Sequence, residues 1–446
     1  MKPTIARLVV ALLFAAALPA VAQVPFGFSA SLTNGTFVRS VTAVDINGDG
    51  KPDLVSVRGN PSFLYTWTNN GNGIFVSNAS YAVGSFPYHV IGADINGDTK
   101  PDLITANNSG HSLTVLTNDG TGRFVLSATL AYGSGYAPHG VAAGDLFNHS
   151  CLDLVSANSQ NASFTVWSNT GSGIFVSNVT LSAGTPQQAV PETVAIADIN
   201  GDGKPDIIGG CDNSDVFYLH VWTNNAPGGF VAMAVPNFFL GGIVDLVTAD
   251  VNRDGKLDVV FAGSKSLQTG VIVLTNTGTS SFGFSSAGLP GISPFAIVAG
   301  DFNGDGYIDA ATPNQANNTM SVLTNNGSGA LSSNVTVTVG SGPESITAAD
   351  VNGDGRLDLI SGNWNSPGTM TVVTNAVLPA LTITRAGAQT IVSWPAGWAN
   401  WTLQQNTNLT TATWAPFSGV IGNDGFTKWA TNSAPPNTLL FRLSNP

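Results

Sequence analysis

Apolar segments of a few residues, separated by Gly, Asn, Asp and Ser, recur along almost the whole chain. "VTAV" from Val41 and "LVSV" from Leu54 flank an aspartate-rich turn; "FLYTW" from Phe63 follows a polar turn; "IFVSN" from Ile74 follows "NNGNG". These runs are too short for helices and are rich in β-branched and aromatic residues. They predict four strands per unit, joined by hairpin turns.

The unit then repeats. Its turn, "DINGDGKPD" at Asp45, returns as "DINGDTKPD" at Asp94, "DINGDGKPD" at Asp198, "DVNRDGKLD" at Asp250, "DFNGDGYID" at Asp301 and "DVNGDGRLD" at Asp350, with a degraded copy, "DLFNHSCLD", at Asp145. The first residues lie 49, 51, 53, 52, 51 and 49 positions apart. Seven units of this length predict a seven-bladed β-propeller. The last unit stops after "MTVVTNA" without its fourth strand, and "FGFSASLTNGTF" near the N-terminus is a strand with no unit. Pairing the two would close the ring and protect an open edge.

Beyond residue 377 the pattern changes. "LTITRAGAQTIVSW" and the segments after it read as about six short strands, predicting a small β-sandwich of immunoglobulin or fibronectin type over 378–446. Trp394, Trp401 and Trp414 read as its core rather than as a carbohydrate platform. At the other end, Lys2 and Arg7 precede an apolar run from Leu8 and a small-residue site at Ala20-Val21-Ala22. Residues 1–22 are therefore expected to be a secretory signal peptide, with the propeller over 23–377 and the mature chain exported.

Composition sharpens the fold class to all-β. Only 9% of residues are charged, Glu occurs only at Glu192 and Glu344, and Gly numbers 51. Without Lys2 and Arg7, 13 basic residues face 27 acidic ones, which argues against nucleic acid as a partner. No basic amphipathic segment points to membrane insertion, and a monomer is expected.

At this level the chain resembles the FG-GAP/VCBS-type repeats, the calcium-binding propeller repeats of integrin α-subunit heads and many secreted bacterial proteins. The resemblance rests on the aspartate loop, the "TNNGNGIF" turn and the seven-fold count. Calcium takes six to eight oxygens, and a nine-residue turn supplies them if side chains at positions 1, 3, 5 and 9 turn inward with the carbonyl of position 7. In the first loop these are Asp45, Asn47, Asp49, Asp53 and the Lys51 carbonyl. The resemblance implies the same roles for Asp94, Asn96, Asp98, Lys100 and Asp102; for Asp198, Asn200, Asp202, Lys204 and Asp206; and for Asp250, Asn252, Asp254, Lys256 and Asp258. It implies them likewise for Asp301, Asn303, Asp305, Tyr307 and Asp309, and for Asp350, Asn352, Asp354, Arg356 and Asp358.

An EF-hand fails here, because position 12 holds Ser56, Thr105, Gly209, Phe261, Thr312 or Ser361 instead of Glu. Twenty of the 27 acidic residues fall in the seven loops, where their mutual repulsion calls for a cation. Six Ca²⁺ are expected, in a structural role. Loop 145–153, with Phe147 and His149 at positions 3 and 5, is expected to hold none. Thr99 replaces a turn glycine, and some strain is expected there.

Catalytic signatures are missing: there is no G-x-S-x-G, H-E-x-x-H or P-loop, and the five histidines show no ligand spacing. Asp215 and Asp245 read as structural turn residues. Cys151 and Cys211 read as buried, unpaired thiols. No enzymatic activity is expected from these features.

One position stands out. Six residues before each loop, the seven units carry Arg39, Tyr88, His139, Glu192, Val244, Phe295 and Glu344, five of them directly after a proline. A core position would repeat one apolar type, and this one varies. In a propeller it would ring the mouth of the central channel, so these residues are candidates for contacting an extracellular protein or glycan. Trp364, in the polar turn "GNWNSPG", is a candidate for stacking on a sugar face. The resulting expectation is a secreted binding or adhesion module. The alternative is a polysaccharide lyase or hydrolase using Glu192, Glu344 and His139 at the mouth.

Overall fold

The computed structural model describes residues 24, 26–33, 37–185, 189–212, 218–225, 229–233, 235, 242–263, 270–278, 282–288, 293–375, 381–386, 389–395, 402–406, 414–423, 427–433 and 440–444. The expected signal peptide, Asp215 and Trp401 lie outside these residues.

In the first repeat, strands Val38–Val44, Asp53–Arg58, Phe63–Asn69 and Phe75–Ala82 pair antiparallel in sequence order. Among the described residues seven such four-stranded sheets form, and their first strands contact one another in a closed circle. This is a seven-bladed propeller with the first strand of each blade innermost. The seventh blade is completed by the N-terminal strand Phe26–Thr33, which pairs antiparallel with Thr369–Asn375 and sets Phe26 opposite Asn375. The ends of the repeat array thus share one sheet, as the missing fourth strand implied.

The core lies between blades rather than within any one of them. Val55, Val57 and Leu64 of blade 1 pack with Val90, Leu103 and Leu116 of blade 2. Val38, Val41 and Leu54 close the circle against Ile360, Met370 and Val372 of blade 7. Middle strands are covered on both faces, so Asp102–Asn107 is buried at every position, whereas the outer strand Phe75–Ala82 alternates toward solvent. Trp167 and Trp222 share the position held elsewhere by Leu116 and Leu274, and all four face the preceding blade.

The C-terminal segment forms a four-stranded and a three-stranded antiparallel sheet among its described residues. Val392, Trp394 and Ala430 of the first pack with Leu403 of the second, the arrangement of a sandwich. Trp394 is core, as expected; Trp414 is only half-buried. No helix among the described residues is long and apolar enough to cross a membrane.

Candidate functional site at the aspartate loops and the channel mouth

Each aspartate loop links the first and second strands of a blade, and its backbone is held by its own carboxylates. Position 1 accepts the position-6 N–H in all seven loops, as Asp45 Oδ2 does from Gly50 at 2.7 Å. This folds position 6 into the left-handed region: Gly50 has φ 79°, and Thr99 is forced to 68°. Position 9 is buried and doubly satisfied. Asp53 Oδ2 accepts the Ile46 N–H at 3.2 Å and Oδ1 the Asn69 N–H at 2.7 Å, a pattern repeated in every blade.

That asparagine, at the end of the third strand, escaped the sequence reading. Asn69, Asn118, Asn169, Asn224, Asn276, Asn325 and Asn375 each donate Nδ2 to the position-2 carbonyl of the preceding blade's loop, at 2.6–2.9 Å. Its signal was available: an Asn at one strand position in all seven repeats, the degraded one included.

Loop 145–153 separates two sets of duties. It keeps Asp145 and Asp153, whose hydrogen bonds to Ser150 and Leu146 match those of the intact loops, and it loses oxygen ligands at positions 3 and 5. In the six intact loops the position-3 Oδ1 accepts the position-5 N–H and the position-5 Oδ1 the position-7 N–H; the third loop keeps the second of these through His149 Nδ1 and loses the first, so the position-3 bond is dispensable for the turn. In the intact loops, three carboxylates, an asparagine and a carbonyl make an oxygen-only donor set suited to a hard divalent cation. Burial pushes the position-9 carboxyls up, to about 6 at Asp53 and about 7 at Asp309 and Asp358, with neighbouring loop aspartates adding to the shift. A cation would relieve this cost. Among the described residues, the carboxylates of the intact loops do not converge as a threesome within 4.8 Å; only Asp145, His149 and Asp153 do.

At the opposite end of the first strands, the pairing with the second strand slips by one residue. The slip falls on Arg39, Tyr88, His139, Glu192, Val244 and Glu344. Each is the extra residue of a β-bulge, which re-aims its side chain. Together with Phe295 they line one cavity of about 310 Å³. Physically, this is why the position tolerates any residue type: it belongs to the channel, not to an interblade wedge.

The mouth side chains form a continuous chain of contacts. The Arg39 guanidinium lies 3.5 Å from the Trp364 ring centre and 4.7 Å from that of Tyr88, and Arg39 Nη1 donates to Glu344 Oε2 at 2.6 Å. Tyr88 stacks on His139 with centroids 4.2 Å apart and planes within 4°. His139 Nδ1 contacts the Glu192 carboxylate, and Gln315 Nε2 donates to Glu344 Oε1 at 2.6 Å. Burial pushes the Tyr88 hydroxyl up to about 12 and raises Glu344, partly offset by Arg39. Arg39 Nε and Ser345 Oγ are sealed from the cavity and have no hydrogen-bond partner among the described residues; Ser345 Oγ lies against Gly362.

Some expectations need correcting. Arg39 covers a face of Trp364, and Phe37 packs beside the ring at 4.6 Å, so Trp364 buttresses the mouth where a sugar-stacking platform was expected. Asp245 lies in a first strand, not a turn, and accepts Thr193 Oγ1–H and the Ile297 N–H across the blades at 2.9 Å each. Cys151 is half-buried rather than buried; Cys211 is buried, and both are free. His149 does have ligand spacing, to Asp145 and Asp153.

A closed ring of seven antiparallel sheets carrying an aspartate loop per blade defines a repeat propeller. The chain belongs to the FG-GAP-like repeat family, whose profile matches residues 45–105, 94–148, 148–209, 198–261, 250–312 and 301–361. A "T-cell immunomodulatory protein homolog" of Plasmodium falciparum (isolate 3D7) is 34% identical over 134 residues, covering 26% of this chain and 18% of that protein. Two crystal structures of BBS1N in complex with ARL6DN, soaked with mercury or lead, superpose with TM-scores of 0.56 and 0.54. They cover 80% of this chain and 98% of theirs at 13% and 12% identity, a likeness of fold alone.

Proposed function

We propose that this is an exported, calcium-stabilised propeller whose channel mouth binds an extracellular protein or glycan. The carrying observation is the convergence of six bulge residues of mixed type, with Phe295, on one cavity. Ca²⁺ held by the six intact loops would neutralise their carboxylates and fix the turn between the first and second strands.

Binding is favoured over glycoside hydrolysis. Glu344 accepts from Arg39 and Gln315 and Glu192 contacts His139, so both carboxylates are tied into the wall of the mouth, which supports a binding surface.

The test is a glycan array and a displayed peptide library, each probed with wild type, Arg39→Ala and Glu192→Gln in calcium. The expected result is a defined set of bound glycans or peptides, lost at least ten-fold in both variants while circular dichroism shows both still folded at the assay temperature. No binding to either collection, or binding indifferent to both variants, would overturn the reading; released sugar fragments would turn it toward an enzyme.

A further inference from the structure

The third loop differs from its sisters in donor chemistry as well as in donor number. His149 stands at position 5, where the intact loops have Asp, and its imidazole lies between the two retained carboxylates. Nδ1 is 3.5 Å from Asp145 Oδ1 and Nε2 is 3.2 Å from Asp153 Oδ1. One ligand atom from each residue falls within 4.8 Å of the others, the only such set among the described residues. The two carboxylates are fixed by the backbone hydrogen bonds common to all loops, so the site does not need a metal to preassemble it.

The surroundings also disfavour calcium. Phe147 takes the place of the position-3 oxygen donor and packs toward Phe230 of the next blade, with ring centres 6.3 Å apart. That replaces one wall of the oxygen shell with an apolar one, and a hard ion needing six or more oxygens is left short. Imidazole with two carboxylates is instead a donor set for borderline divalent ions that accept four ligands, zinc foremost. Each ring nitrogen faces one carboxylate. Nδ1 also accepts the Cys151 N–H at 3.2 Å, so the neutral ring carries its proton on Nε2, facing Asp153; an ion taking Nε2 would move that proton to Nδ1, which then donates to Asp145 Oδ1 in place of accepting from Cys151.

We infer that loop 145–153 is a site for a zinc-class divalent cation, held by Asp145, His149 and Asp153, within a ring whose other loops are built for a hard one. The inference stands whether or not the intact loops take calcium.

The experiment is a Zn²⁺ titration of the metal-stripped full chain in saturating Ca²⁺, followed by calorimetry, with Co²⁺ absorption as a spectroscopic check on nitrogen–oxygen ligation. Wild type should take up one equivalent. His149→Ala should weaken that equivalent at least ten-fold, and His149→Asp should also lose it while keeping an acidic loop. Circular dichroism melts confirm that both variants are folded. The inference is overturned if wild type takes up no Zn²⁺ under these conditions, or if both variants bind it as tightly as wild type.

Discussion

Asn69 donates its side-chain N–H to the carbonyl of Val351 at 2.8 Å, joining blade 1 to blade 7 across 282 positions of sequence. The same amide donates to Pro52 O at 3.0 Å, and the Asn69 backbone N–H is taken by Asp53. One side chain thus connects a blade's own loop to its neighbour's. Asn69→Ala removes both donations, leaving Val351 O with the Gly73 N–H alone, and is expected to cost about 1–2 kcal/mol. Urea unfolding beside the exposed control Asn72→Ala, which should shift little, checks this.

Thr99 adopts a left-handed φ of 68° where the first loop has Gly50. The backbone is held there by its N–H to Asp94 Oδ2 at 2.8 Å, so the turn cannot relax around the side chain. Thr99→Gly should stabilise the protein by about 0.5–1 kcal/mol, the strain relieved less the entropy added to the unfolded chain. Differential scanning calorimetry would read it as a small rise in melting temperature.

His89 lines the channel wall and accepts the Val141 N–H at 3.3 Å, an interblade contact that requires Nδ1 to be unprotonated. Burial pushes its pKa down to about 4. A depressed folded value means that the stabilisation is present above the ordinary value near 6.5 and is lost as pH falls toward 4. Because the ring partly faces the channel, the loss is about 1–2 kcal/mol rather than the ~3 kcal/mol of a wholly dry group. His89→Gln should flatten the stability profile in this window. Asp245, raised to about 6 by burial, works in the opposite sense, favouring the fold below about pH 4 and losing that contribution as pH rises through 6. Asp245→Asn should reveal the opposite slope.

Deleting residues 24–33 removes the strand that completes blade 7 and bares the Thr369–Asn375 edge. Exposed edges recruit other strands, so the truncated chain should self-associate, seen as early elution in size-exclusion chromatography. A monomeric truncate of unchanged melting temperature would contradict the closure.

The ring was legible in the sequence because a period near 50 residues survives every substitution in the loops. The orphan strand at Phe26 and the missing one after Asn375 fixed its closure. The mouth was legible at one position only, because Arg39 and Glu344 look like surface charges until a bulge turns them inward. What Trp364 and Asp245 do could not be read, since their partners Arg39 and Ile297 come from other blades. The interblade asparagines were visible as a repeat but carried no recognised motif, and their purpose depends on a carbonyl in the preceding blade.

The central claim is that the six intact loops hold calcium as structural ions. Native mass spectrometry of the mature chain in micromolar Ca²⁺, paired with thermal melts before and after EGTA, tests it most directly. The account predicts six bound ions per chain, five in Asp49→Ala, and a melting temperature lowered by several degrees on chelation. A chain that carries no calcium and melts identically in EGTA would contradict it.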